Sequence, residues 1–205
     1  VAVEITEQKK LEESFRGVSA KLKAEKKRGQ VMSDVGRLLA EKRDVRQVFP
    51  QVSAHLRRVL HQEYAALFLR DEKSGALLRQ AVDFPLGKKP GFEIVVPKDP
   101  GGKALSQRAS LIFSKDDIKG LNSKASNYFL TEGLQSLCCV PLIRPKGVLG
   151  VLVLGSTRAD AFTTEDLALL NQVAAQLAIV LENASIAREV EQLKTEFLSR
   201  TAHEL

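Results

Sequence analysis

The sequence predicts an α+β fold: an antiparallel sheet of about six strands with helices packed on one face, flanked by N- and C-terminal coiled-coil helices. Three observations predict it. Apolar residues step by four, three and four at both ends, as Leu11, Phe15, Val18 and Leu22 and again as Ile186, Val190, Leu193 and Phe197, which is the seam of a coiled coil. Between these ends, from Tyr64, the pattern changes to short β-like runs separated by turn residues. Two of those runs, "SLCCVPLI" and "VLGVLVLGS", are almost wholly apolar, as strands buried on both faces are.

Taken in order, residues 4 to about 46 carry helix signals, with a seam that weakens at Glu25 and Gly29, where a bend or loosening is expected. Asp44 has the form of an N-cap, and "VRQVFPQVSAHLRRVLHQ" reads as a second amphipathic helix with Pro50 near its start. "EYAALFLRD" and "ALLRQAV" form a hairpin through "EKSG", and "FEIVVP" supplies a third strand. A loop and short helix from about Gly102 lead into "SLIFS". "KGLNSKASN" reads as a polar loop, and "YFLTEG" as one helical turn closed by Gly133. The two apolar runs follow as central strands, bridged by "RPKG". Thr163 or Thr164 then caps one long helix with acidic residues in its first turn.

The composition narrows the function classes. In 205 residues, 44% hydrophobic content is enough for a packed core, and 27% charge does not suggest disorder. The net charge of +6 sits in helical segments such as "KLKAEKKRG", interleaved with glutamate and apolar positions, the pattern of a solvated helix face. Only 5% of residues are aromatic and none is Trp, so the sequence offers no stacking platform and no nucleic-acid partner is expected. Adjacent Cys138 and Cys139 suit packing in a reducing, cytoplasmic setting, and no apolar run reaches the length of a membrane span. His55 and His61 lie six apart, off a shared helix face, and no metal site is expected. Gly101–Gly102 reads as a tight turn, without the Lys-Ser/Thr ending of a phosphate-binding loop. A start at "VAVEITEQKK" suggests a piece of a longer protein.

"SLCCVPLI", "GVLGVLVLGS" and "FTTEDLALLNQVAAQLAIVLENA" together resemble the last third of a GAF domain, with Phe162, Asp166 and Leu170 in the pattern that opens its terminal helix. The resemblance covers roughly Val31 to Ala184 and implies a small-molecule sensing or dimerising module. It places candidate pocket walls in "DPGGKALSQRAS" through "SNYFLTEGL", with Phe113, Tyr128, Phe129 and Cys139 as candidate pocket residues and an unknown ligand. Asn122, Lys124, Phe129 and Glu132 echo the signature of cyclic-nucleotide-binding members, but their spacing departs from it. Tetrapyrrole-attaching members carry a pocket-loop Cys, whereas Cys138–Cys139 fall in a predicted core strand.

The two ends carry further resemblances. "VEITEQKKLEE" resembles the exit of a PAS domain, which implies a sensor upstream. "EFLSRTAHEL" resembles the phosphoacceptor box of sensor histidine kinases, matching at Lys194, Phe197, Leu198, His203, Glu204 and Leu205, with Ala202 where Ser is common. That resemblance implies phosphorylation of His203, with Glu204 as acid/base partner, in a parent that uses ATP and Mg and passes phosphate to a response regulator. An imidazole near neutrality is a suitable nitrogen nucleophile, and a neighbouring carboxylate can stabilise the imidazolium. The sequence has no nucleotide-binding loop, so no cofactor and no autophosphorylation are expected of this chain alone.

The expected organisation is therefore a PAS exit and connector helix over 1–30, a GAF sensor over 31–185, and a signalling helix over 186–205. The expected function is the regulatory region of a cytoplasmic, homodimeric sensor kinase, this segment making no membrane contact. A GAF regulator of a transcription activator with an AAA+ output, and a stand-alone ligand-binding module, are the other readings.

Overall fold

The computed structural model describes residues 2–41, 44–71, 74–85, 87, 91, 94–145 and 147–203. Helix α1 (Ala2–Glu41) leads to α2 (Val45–Leu56), the hairpin β1 (Tyr64–Arg70) and β2 (Leu77–Asp83), and the short β3 (Ile94–Val95). Helix α3 (Pro100–Gln107), β4 (Leu111–Ser114), α4 (Lys115–Leu121) and α5 (Lys124–Thr131) come next. The hairpin β5 (Ser136–Arg144) and β6 (Gly147–Ser156) precedes α6 (Thr164–His203). The six strands form one sheet of order β3-β2-β1-β6-β5-β4, with every neighbouring pair antiparallel. β1 and β6 are its two middle strands.

The long helices cover one face of this sheet, as predicted. Val31, Val35 and Leu39 of α1, Val48, Phe49, Val52 and Leu56 of α2, and Leu170, Val173 and Leu177 of α6 meet Leu67, Cys138, Val140, Leu152 and Leu154. The opposite face carries α3, α4 and α5. "KGLNSKASN" is thus a correction: it contains the end of α4 and the start of α5. Both helices are too short to be stable alone and hold through caps. Ser114 and Asp117 form a capping box at α4, and Ser123 accepts from the Ser126 amide at α5. α1 is helical straight through Glu25 and Gly29, where the weakening seam predicts loosening.

Asp44 caps α2 by accepting from the Arg46 amide, and Pro50 lies inside that helix. At α6, Thr163 and Asp166 bond reciprocally: the Asp166 amide donates to Thr163 Oγ1, while Asp166 Oδ2 accepts from the Thr163 amide. The other carboxylate oxygen of Asp166 takes Arg28 Nη2 of α1 at 2.7 Å. Further on, Gly36 of α1 lies against Gln176 of α6. Pairing 28 with 166 and 36 with 176 means that the two helices run side by side in the same direction. Their exposed seams therefore leave the domain at opposite poles. About 27 residues of α1 project at one end and about 22 of α6 at the other, roughly 40 and 33 Å of helix. Over Thr164–Thr195, α6 is apolar enough by composition to cross a membrane, a property to which its core-facing side chains contribute.

Candidate functional site: the aromatic face of the sheet

Strand alternation decides what faces the short helices. From β1, Tyr64, Ala66 and Phe68 point there, while Ala65 and Leu67 point to the long helices. β5 contributes Leu137 and Cys139, β6 contributes Val151 and Val153, and β4 contributes Phe113. Ile118 of α4 and Ala125 and Phe129 of α5 close over them. Gly102 lets α3 pack directly on the backbone that follows β3, since a Cβ there would collide with the Val96 carbonyl and the Pro97 backbone. The glycine pair is thus inside a helix and serves close packing, a correction to the tight turn expected there.

Tyr64 is the centre of the cluster. Its ring meets Phe84 at 5.5 Å, Phe129 at 5.3 Å and Tyr128 at 6.4 Å between centroids, all edge-on, and Tyr128 meets Phe129 at 5.5 Å. Tyr64 has no solvent exposure, and its hydroxyl has no hydrogen-bond partner among the described residues. A buried polar group left in this state costs on the order of 1–3 kcal/mol, so a partner supplied from outside would be favourable.

The electrostatics suit binding and do not suit nucleophilic chemistry. Burial, and then Tyr128, raises the Tyr64 hydroxyl far above the ordinary phenol value, while the charge of Arg79 opposes the rise. Tyr128 is pushed up to about 12 by burial and Glu132, again against Arg79. Both phenols are therefore neutral near pH 7, with Arg79 close enough to influence each. Burial pushes the Cys138 thiol up to about 12 and, with the neighbouring Cys138, raises that of Cys139 well above its usual value. Neither sulfur is a thiolate at neutral pH, and both act as small apolar side chains.

All four candidate pocket residues, Phe113, Tyr128, Phe129 and Cys139, lie on this face. Sequence reasoning missed Tyr64, Phe84 and Arg79; the alternation Tyr64–Ala66–Phe68 in β1 was the available signal for the first. Asn122 and Glu132 sit at helix C-caps and Lys124 opens α5. Among the described residues no group of three His, Cys, Asp or Glu side chains could hold a metal. His203 ends α6, at the pole where that helix leaves the domain; its side chain, and all of Glu204, lie outside the described residues.

The amino-acid sequence matches a known family, described as "GAF domain", over residues 42–182. The chain belongs to the GAF family. Solved structures share its fold. The GAF domain of a two-component sensor histidine kinase from Bacillus halodurans superposes with a TM-score of 0.59 at 23% identity, covering 69% of this chain and 95% of that one. Free methionine-R-sulfoxide reductase from Neisseria meningitidis, in complex with its substrate, gives 0.64 at 18% identity over 78% and 91% of the two chains. At these identities the likeness is one of fold. A curated relative, the formate hydrogenlyase transcriptional activator of Salmonella typhimurium strain LT2, is 43% identical over 61 residues, which are 30% of this chain and 9% of the activator.

Proposed function

We propose that this GAF domain is the regulatory region of a sensor histidine kinase and passes a signal along dimeric helices to a phosphoacceptor, His203. One observation carries the reading. Helix α6 runs unbroken from the sheet, where Leu170 and Leu177 are fully buried, through an exposed seam of Ile186, Val190, Leu193 and Phe197, to His203. A change in packing at the sheet thus has a rigid path to the histidine. The seam residues are 53–67% exposed in the single chain, as are Leu11, Phe15, Val18 and Leu22 of α1 at 65–73%. Two copies in parallel would bury both seams, and paired helices of this kind transmit small rotations or register shifts because their packing is bistable.

In this reading 1–30 form the connector after a PAS domain, 31–185 the sensor, and 186–205 the start of the dimerisation helix. The aromatic face takes the small-molecule signal. His203 accepts phosphate, with Glu204 beside it to hold the imidazole proton, and a response regulator receives the phosphate. ATP and Mg supply the phosphoryl chemistry in the catalytic part of the parent, on the cytoplasmic side. The full-length parent with labelled ATP is expected to give acid-labile phosphate that disappears in His203→Gln; label retained in that variant refutes the assignment. A second reading, a GAF sensor governing a transcription activator with an AAA+ output, draws support from the activator relative. A parent that hydrolyses ATP through a P-loop and carries no phosphohistidine would establish it instead.

A further inference from the structure

We propose that a second site, on the opposite face of the sheet from the aromatic cluster, binds a small carboxylate with an apolar body where α6 leaves the domain. A cavity of about 280 Å³ lies between the start of α2, strands β1 and β2, and the last buried turns of α6. Val45, Leu69, Val180 and Leu181 form its apolar wall, and Gln80 and Arg188 are polar groups on facing elements. The volume exceeds the roughly 150 Å³ of a cavity that accepts benzene, so a single ring with a short chain fits.

The charges select an anion. Asp44 and Arg46 line the same cavity and are hydrogen-bonded to each other, Arg46 Nε and Nη2 reaching the Asp44 carboxylate at 3.0 and 2.8 Å, while the charge of Arg188 acts on Asp44 only as a smaller influence. Arg188 is different. Its Nε donates to the Ala184 carbonyl one turn back at 3.1 Å, which orients the guanidinium, and its two Nη atoms have no acceptor among the described residues. A planar fork held this way matches a carboxylate in two parallel hydrogen bonds, and the Gln80 amide offers a further donor. A single guanidinium balances one negative charge, which favours a monocarboxylate over a phosphate dianion.

The position gives the site a consequence. Leu181 is the last buried apolar residue of α6, and Ala184 and Arg188 bracket Ile186, where the exposed seam begins. A ligand held by Leu69 and Gln80 on the sheet and Arg188 on the helix ties the departing helix to the domain and fixes its exit angle. This site stands whether or not the aromatic face binds anything, since the sheet separates the two.

The test uses the 205-residue chain with 3-phenylpropionate and its uncharged amide as probes, followed by methyl NMR and calorimetry. The carboxylate is expected to bind saturably and shift the Leu69, Val180 and Leu181 methyls, with the amide about tenfold weaker. Arg188→Gln, an exposed position, is expected to lower carboxylate affinity about tenfold and abolish the preference over the amide, while Arg188→Lys retains part of it. Val180→Phe is expected to block both probes by filling the cavity. No saturable binding at about 10 mM, equal binding by Arg188→Gln, or shifts centred on the Val151 and Val153 methyls of the other face would each overturn the proposal.

Discussion

On one side of the sheet, Cys138, Val140, Leu142, Leu152 and Leu154 meet aliphatic side chains from two helices of 40 residues each and from α2. On the other, Cys139, Val151 and Val153 meet rings and small residues carried by helices of only seven and eight residues. The first face is dominated by aliphatic packing anchored in long elements, which suits stability and transmission. The second contains an unsatisfied tyrosine hydroxyl beneath short, cap-dependent helices, the kind of region that opens at low cost. Adjacent residues of a single strand, Cys138 and Cys139, thus pack into two different cores.

Truncation on each face tests that contrast most strongly. Leu170→Ala on the helix face is expected to cost about 2–5 kcal/mol in urea denaturation. Ile118→Ala, equally buried but carried by α4, is expected at the low end of that range because a short helix can settle into the space. The reverse order would show that the short helices are as rigid as the long ones.

The clasp between the long helices is the next effect. Asp166 is 9% exposed and Arg28 27%, and Asp166 also caps α6, so Asp166→Ala is expected to cost about 1–3 kcal/mol. A double-mutant cycle with Arg28→Ala should leave a coupling of about 1 kcal/mol, and additive costs would mean that α1 is not tied to the start of α6 through this pair.

Tyr64→Phe is expected to change stability by less than about 1 kcal/mol, in the stabilising direction, because it removes an unpartnered buried hydroxyl. A clear loss of stability in the purified protein would show that the hydroxyl is satisfied and the face is not awaiting a ligand.

The smallest effect is acid sensitivity of the caps. The Asp44 carboxyl is held below its ordinary value of 3.8 by Arg46, and Asp117 is held below 3.8 chiefly by the Ser114 hydroxyl and amide. Their folded values are depressed, so their stabilisation is complete above the unfolded value and fades as pH falls through the folded ones. The urea midpoint is therefore expected to hold from neutrality to about pH 5, with the contribution of these caps lost only below about pH 4. Asp117→Asn should flatten part of that acid limb.

Much of this architecture is legible in the sequence because it rests on local patterns. The apolar runs of β5 and β6, the Asp44 cap and the Thr163–Asp166 opening of α6 each need only a few neighbouring residues to be recognised. α4 and the first half of α5 escaped because Asn, Ser and Gly give "KGLNSKASN" a loop composition, while the turn expected at "YFLTEG" is the second half of α5, and both helices depend on burying Ile118 and Phe129. The candidate pocket was half legible. Phe113, Tyr128, Phe129 and Cys139 follow from the family resemblance, whereas Tyr64 and Phe84 join them through pairing of β1 with β2, where Ala65 sits opposite Asp83.

The sequence by itself determined the periods: where the long helices and the six strands lie, and which apolar residues of α1 and α6 fall on a seam. Hydrophobic spacing and caps are local, and they specify such elements before any packing occurs. Only the tertiary structure decided that the two seams leave from opposite poles, that Arg28 reaches Asp166 across 138 residues, and that a cavity opens where α6 departs. Those facts depend on how distant elements meet, and spacing along the chain carries no record of that meeting.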